Sequence, residues 1–519
     1  MKKIIITISF SVSILTYSLF AQTVNVPMSH WLYRFVDRLE TKGMFHSLKT
    51  RSYPLTRTDV ASILAEVDSN KTRLSTTEMR LFEQLKGEFH EELNVLEITH
   101  NTRYAERHLL SWQEGNHKIK TDLDFAQVFD SKNGDQYSEA ERTSRTTLGG
   151  IIRGQFDKHL NFLVHARNTL NRGTDITEEN FDPKYGTPIT ISGENVYSDD
   201  AWAYLIWDQS WFQLEFGRDQ LKWGPGLRGS LMLSAENPLF ELLKLKFSFN
   251  RFQFTSFHGT LHSGAGTKYL AGHRLELKIF DWLYLAGSEA VIYGNRDIEL
   301  AYLNPIMPYH VAEHHLGDED NNTMGLDITL FPFKNHKFYF ELFLDDFTTA
   351  ENPFTYYGNK FALLAGHRWV APLGMDNADL KWEYARIEPY VYTHYKEINI
   401  YQNYNRPIGH WLGPNSDDFY LEFGYLINRD LQLALSAERI RHGKGDLTTP
   451  HVQADGIRKK FLEGIVEKKW SFGAKFTDQL FRDVFLSLNY FYIRTDNLNR
   501  GAGQNSTDNH VSFDLLLNW

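Results

Sequence analysis

Two hydrophobic periods divide the chain. From about Val26 to Leu93 the apolar residues recur at helical spacing. In "SHWLYRFVDRLETKG", Trp31, Leu32, Phe35, Val36 and Leu39 fall on one face and Gly43 ends the run. "PLTRTDVASILAEV" predicts a second helix capped by Thr56 or Thr58, with Asp59 completing a capping box to Thr56 and Val60, Ile63 and Leu64 as its buried stripe. "STTEMRLFEQLKGEF" repeats the device with Ser75 and Glu78 ahead of Met79, Leu81, Phe82 and Leu85. These segments predict a small bundle of three short amphipathic helices.

After about residue 115 the period becomes two and stays there. "RLELKIF" sets Leu275, Leu277 and Ile279 against Arg274, Glu276 and Lys278, and "TMGLDITLF" sets Met324, Leu326, Ile328 and Leu330 against Gly325, Asp327 and Thr329. "FYLEFGYLI" and "LQLALSAE" alternate in the same way. A soluble sandwich also alternates, but it buries the apolar side between two filled sheets. Here the other side carries full charges in strand after strand, which suits a wet lumen with lipid outside.

Short turns are expected at 155–159, 207–211, 279–283, 331–337, 426–432 and 477–483. Longer polar loops, near 131–140, 173–198, 294–321, 348–358, 395–415, 443–466 and 495–508, alternate with them as an up-and-down barrel requires. Seventeen strands are evident, and parity fails between the turns at Asp208 and Asp281. Taking Leu227 to Ser234 as a hidden down strand, followed by "LKFSFNRFQFTSF" going up, restores the alternation and gives eighteen. The chain ends on "VSFDLLLNW", whose alternate residues Val511, Phe513, Leu515, Leu517 and Trp519 point outward and resemble the signal read by the outer-membrane assembly machinery.

Composition narrows this picture. The only long apolar run, Ile4 to Phe20, follows Lys2 and Lys3 and ends at "LFAQ", the order of a secretory leader cut after Ala21; Leu19 keeps an uncleaved anchor as the alternative. With no cysteine among 519 residues, an exported chain has no disulfide, thiol nucleophile or Cys-ligated metal. A net charge of −10 argues against nucleic acid as a partner, and 14% aromatic residues suit a barrel girdle. The expectation is an all-β transmembrane barrel of about 18 antiparallel strands in the outer membrane, preceded by a small periplasmic α-helical bundle. Its divisions are a signal peptide at 1–21, the bundle at 22–100, and the barrel with long extracellular loops at 101–519.

Three stretches, "FGRDQLKWGPGLRGSLMLS", "LAYLNPIMPYHVAEHH" with Asn304-Pro305, and "RSYPLTRTDVASIL", resemble the Wzi-type capsule assembly family. The resemblance covers essentially the whole mature chain in order and size. It implies a lectin-like, non-enzymatic role in attaching or assembling surface or capsular polysaccharide, with no cofactor. Outer-membrane lipid, the assembly machinery and periplasmic export components are the other partners expected. A porin-like channel for small solutes is the rival reading.

Sugar binding needs flat apolar faces beside planar polar groups. The loop candidates are Tyr302, Asn304, Tyr309, His310, Tyr356, Tyr357, Tyr401, Tyr404, Asn405, Arg406 and Trp411, each of which could instead serve a girdle or loop packing. In the glycine-rich block, Arg218, Asp219, Lys222, Trp223 and Arg228 are expected to face the lumen, to occlude it or to touch saccharide, while the glycines allow a tight reversal. No Gly-x-Ser-x-Gly elbow supports a hydrolase. His310, His314 and His315 lack the His-Glu-x-x-His order, and the acidic "GDEDNN" lacks EF-hand spacing, so no metal is expected.

Overall fold

The computed structural model describes residues 23–98, 104–174, 176, 182–192 and 195–518. The expected leader at 1–21 and the terminal Trp519 lie outside the described residues. Helices α1 (Leu32–Thr41), α2 (Arg57–Ser69) and α3 (Thr76–Glu88) form where the periodicity places them, and a short α4 (His90–Val95) follows. Each expected capping box is made. The Thr56 hydroxyl accepts the Asp59 N–H at 3.0 Å while Asp59 accepts the Thr56 N–H, and Ser75 and Glu78 exchange the same pair. Leu32, Phe35, Val36, Leu39, Val60, Leu64, Phe82 and Leu85 close one apolar core.

Two short strands, Leu110–Glu114 and Thr187–Ser192, each pair with one neighbour in the barrel sheet, and among the described residues eighteen long antiparallel strands close the barrel. They are β1 (His117–Gly134), β2 (Glu141–Gln155), β3 (Leu160–Gly173), β4 (Asn195–Gln209), β5 (Phe212–Asp219), β6 (Phe240–Ser248), β7 (Phe252–Leu261), β8 (Lys268–Phe280) and β9 (Leu283–Gly294). The second half comprises β10 (Asn321–Leu330), β11 (His336–Asp346), β12 (Lys360–Val370), β13 (Ala378–Ile387), β14 (Ser416–Leu426), β15 (Leu431–His442), β16 (Glu467–Phe481), β17 (Val484–Asp496) and β18 (Ser506–Asn518). Closure comes from β18 pairing antiparallel with β1, Phe513 opposite Phe129. Burial is the reverse of a soluble sheet: Arg274 and Glu276 are 1% and 0% exposed, and Leu275 between them is 42% exposed.

The short turns fall where expected, and two more, at 249–251 and 371–377, complete that end of the barrel. The strand count agrees with the reading from sequence, but the hidden strand is elsewhere. Residues 227–234 are not a barrel strand; the down strand is β6, and "LKFSFNRFQFTSF" is the β6–β7 hairpin. Alternation conceals β6 because both of its faces carry apolar residues. Leu243 is exposed outward, while Phe240 and Leu242 are buried on the inner side.

The lumen is not uniformly wet. The helical segment seats its charged side in the turn-side mouth and reaches strands around the rim. Asn25 bonds Asp219 of β5, Asp59 pairs with Lys246 of β6, Arg51 offers its carbonyl to Arg274 of β8, Asp37 pairs with Lys337 of β11 and Arg368 of β12, and Arg38 pairs with Asp379 of β13. Further round, Gln84 bonds Gln479 of β16, and Glu91 pairs with Lys120 of β1. Burial alone would raise the Asp37 carboxyl, but the Lys337 and Arg368 charges hold it well below the ordinary carboxylate range. From the opposite end, residues 220–239 and 388–415 fold into the loop-side lumen. There they pack on an apolar inner wall of Leu242, Phe257, Ile292, Phe343, Leu364 and Ile387.

Candidate functional site

The inward segment after β5 is fixed by two wall carboxylates. Glu341 accepts the N–H groups of Gly226 and Leu231 at 2.8 and 2.7 Å. Glu383 accepts those of Leu227 and Arg228 at 2.5 and 2.8 Å, and the Tyr339 hydroxyl at 2.8 Å. Gly224 (φ +119°) lies against Glu341, and a Cβ there would meet the carboxylate at 2.5 Å, so glycine permits the approach. Lys222–Trp223 forms a two-residue ladder with Ser52–Tyr53 from the segment between α1 and α2, joining the two plugs inside the barrel. The second inward segment locks on: the Tyr392 and Tyr401 hydroxyls donate to the Leu231 and Met232 carbonyls at 2.7 and 2.9 Å.

This geometry separates the residues singled out in the glycine-rich block. Trp223 is 1% exposed with its ring edge on Phe257, so it is a packing anchor rather than a contact. Lys222 donates to the Gly226 carbonyl at 2.6 Å, and Asp219 is occupied by Asn25. Arg218 departs from the expected inward orientation. It stands opposite Ala203 and Glu241 in the ladders, on the outward face that carries Phe216, with its guanidinium 3.9 Å from Asp200 and Glu241. The strand alternation decides this: Gln213, Glu215 and Asp219 take the inner positions, so Arg218 cannot.

Arg228 remains available. Its guanidinium pairs with Glu438 at 2.5 Å, lies 4.7 Å from the Tyr420 ring and 5.6 Å from the Trp411 ring, and stays one-third exposed. Trp411 is half-buried and stacks on His410 at 5.6 Å. Burial, with Arg228 nearby, lowers His410 to about 3, so that ring is neutral at ordinary pH. Two further aromatic pairs stand among the loops. Tyr357 stacks on His451 at 3.7 Å, with Tyr390 edge-on to the same imidazole and Tyr356 against the Tyr357 ring; Tyr404 stacks on His262 at 4.0 Å. Arg406 lies 3.3 Å from Asp182, Asn405 is exposed, and Tyr401 is fully buried.

The loop at 294–321 goes elsewhere. It carries two short helices, α5 (Leu300–Leu303) and α6 (Tyr309–Leu316), that lie over the outer wall of the barrel. Tyr302 and Tyr309 pack there on Ala271, Val291 and Tyr293, residues of the outward face of β8 and β9. Outward-facing Glu289 accepts the Tyr309 and His310 N–H groups at 2.9 and 2.6 Å. Tyr302 and Tyr309 are therefore closed to a polymer, while Asn304 and His310 are exposed on the flap. The acidic run is spent on neighbours, with Asp320 on Arg296 and the Tyr302 hydroxyl, and Glu319 on Lys396. No group of three or more metal-ligating side chains gathers among the described residues.

The structure thus brings Arg228 and Trp411 together and adds Tyr420, Glu438, His451, His262 and Tyr390, which the sequence reading missed. Tyr420 and Glu438 had a signal, since each occupies an inner-face position of a clearly alternating strand. The histidines meet tyrosines only through loop tertiary structure. The arrangement presents half-exposed rings beside a guanidinium and a carboxylate, able to stack on and hydrogen-bond a polyhydroxylated chain.

The family model for the capsule assembly protein Wzi matches residues 115–510. The chain belongs to the Wzi capsule assembly family. It is an outer-membrane β-barrel. Among solved structures, Wzi from Escherichia coli is similar to it, at 14% identity and a TM-score of 0.60 over 96% of this chain and 100% of that one. That protein is described as an outer-membrane protein involved in group 1 capsule assembly and a carbohydrate-binding β-barrel. Weaker likeness extends to OccAB1 of Acinetobacter baumannii and to a BenF-like porin from Pseudomonas fluorescens Pf-5. Each has 9% identity and a TM-score of 0.46 over 77% of this chain, and 96% and 99% of their own. No curated protein matches the sequence. The Wzi match begins after the helices and runs into the last strand, so it includes both inward segments.

Proposed function

We propose that this Wzi-family barrel holds surface or capsular polysaccharide on its loop-side face and promotes capsule attachment or assembly without catalysis. In this reading the loops lie outside the cell and the helical segment lies in the periplasm, closing the barrel from below. The observation that carries it is the Arg228–Trp411–Tyr420–Glu438 cluster, a half-exposed ring beside charged planar groups, held rigid by the Glu383 anchor on the Arg228 N–H. Family membership supports the same function. The seating of the helices around the turn-side mouth and of two segments in the loop-side lumen argues against a porin-like channel.

The test is retention of the organism's own surface polysaccharide by purified protein, compared with Trp411→Ala and Arg228→Ala. A stacked ring is worth about 0.5–1.5 kcal/mol, so Trp411→Ala should weaken retention by up to about tenfold. Equal retention by both variants would refute this site, and steady ion conductance of porin size in planar bilayers would favour the channel reading.

A further inference from the structure

A second site lies on the outside of the wall. On the outward face of β13–β17, the ladder places Tyr384, Phe419, Arg439, Trp470 and Arg494 in one cross-strand row. The next row toward the loops holds Arg386, Asp417, Arg441, Lys468 and Asp496. The row below is apolar, with Trp382, Leu421, Ala437, Phe472 and Tyr492. Basic side chains thus form a band at the loop-side edge of the apolar belt.

Some of this charge is already neutralised. Arg441 pairs with Asp417 at 2.5 Å, and Arg386 pairs with Glu388 at 2.6 Å and lies over Phe461. Arg439 is different. It stands 5.8 Å from the Trp470 ring, has no acidic partner among the described residues, and its buried Nε has no hydrogen-bond acceptor. Exposed Lys468 likewise has no ion pair among the described residues, and Arg494 is 62% exposed with only Asp496 at 3.4 Å. Tyr384, Phe419, Arg439 and Trp470 line a groove of about 540 Å³. A guanidinium held at the edge of a hydrocarbon belt without a counter-ion is costly, and a phosphate is the acceptor its planar fork suits.

We infer that this groove binds the phosphate of a phosphorylated glycolipid of the surrounding leaflet, with Arg439 as the principal ligand, Lys468 and Arg494 flanking it, and the acyl chains on Leu421, Phe472 and Tyr492. The orientation this requires, loops toward the outer leaflet, is the one proposed above, but the site shares no residue with the polysaccharide cluster.

The experiment titrates the full-length barrel in detergent with diphosphoryl lipid A and with the same lipid after dephosphorylation, reading Trp fluorescence and bound lipid by native mass spectrometry. Wild type should prefer the phosphorylated form by at least tenfold, and Arg439→Gln should remove that preference while leaving binding of the dephosphorylated lipid unchanged. Heat-modifiable gel mobility establishes that the variant is folded, and Lys468→Gln with Arg494→Gln provides a milder second variant. Equal binding of both lipid forms by wild type, an unchanged preference in Arg439→Gln, or self-association through this face in lipid-free detergent would each overturn the assignment. Loss of polysaccharide retention with lipid preference intact would count against the loop site alone.

Discussion

On β11, Lys337 and Phe343 share the inner face but serve different partners. Lys337, near the turns, pairs with Asp37 of α1 at 2.6 Å. Phe343, six residues on, meets the rings of Tyr392 and Tyr401 edge-to-face at 5.0 and 5.6 Å. Glu341 between them accepts two N–H groups of the inward segment. The neighbouring strands repeat this layering, Arg368 against Leu364 on β12 and Asp379 against Ile387 on β13. One barrel wall is therefore read twice. A charged tier seats a helical plug by paired ions that specify its position, and an apolar tier seats the inward loops by excluding water.

The largest effects should come from breaking each tier separately. Arg368→Ala strips a partner from Asp37 and from Asp379, and loss of one member of a buried pair costs about 3–5 kcal/mol. The helical far-UV signal should then melt well before the barrel loses its heat-modifiable mobility. Phe343→Ala should cost a similar amount, about 3–5 kcal/mol, but there the change should appear as protease cleavage within 388–415 with the helices still seated. Should either substitution loosen both plugs together, the tiers are one cooperative unit and the division fails.

A smaller effect is expected at the seam. Glu341→Gln replaces a carboxylate that accepts two N–H groups with an amide that accepts well at only one atom, and hydrogen bonds to a charged group contribute about 1.5–3 kcal/mol. Residues 224–231 should become more mobile while Trp223 stays on Phe257, seen as faster amide exchange confined to that segment. Planar bilayers should show brief openings that wild type lacks. Unchanged exchange at Gly226 and Leu231 would mean that the carboxylate does not hold the segment.

The tiers also explain what sequence could and could not disclose. The capping boxes at Thr56 and Ser75 are local, and so are the alternating strands whose inner face is charged; these were readable. β6 was misplaced because its first two inner residues, Phe240 and Leu242, belong to the apolar tier and leave the polar half of the alternation to the positions from Lys244 onward. The helices were recognised, yet nothing in their spacing reveals that Arg38 and Arg57 would be buried, since a charged helix face ordinarily meets water. In the site, Arg228 and Trp411 were selected by residue type, but their meeting depends on two segments far apart in sequence folding into the same end of the lumen. Tyr302 and Tyr309 failed as contacts for the converse reason: their loop folds over the outer wall, where aromatic residues pack equally well.

Acid should separate the tiers more gently than any substitution. Asp37 is held below the ordinary carboxylate range by Lys337 and Arg368 against the opposing effect of burial, and Asp59 similarly by Lys246 and Lys49. With the folded value below the unfolded one of about 3.9, their contribution is fully present above about pH 4 and is lost as pH falls toward the folded values. Each unit below 3.9 removes up to about 1.4 kcal/mol per group, so near pH 3 the helical plug should loosen while the apolar tier, whose Phe343–Tyr392–Tyr401 ring contacts carry no charge, keeps the inward loops in place. Pepsin at pH 3 should accordingly cut within residues 23–98 before it cuts within 388–415, and Asp37→Asn should bring that cleavage to higher pH. Cleavage of the loops first would locate the weaker seat in the apolar tier and reverse the comparison.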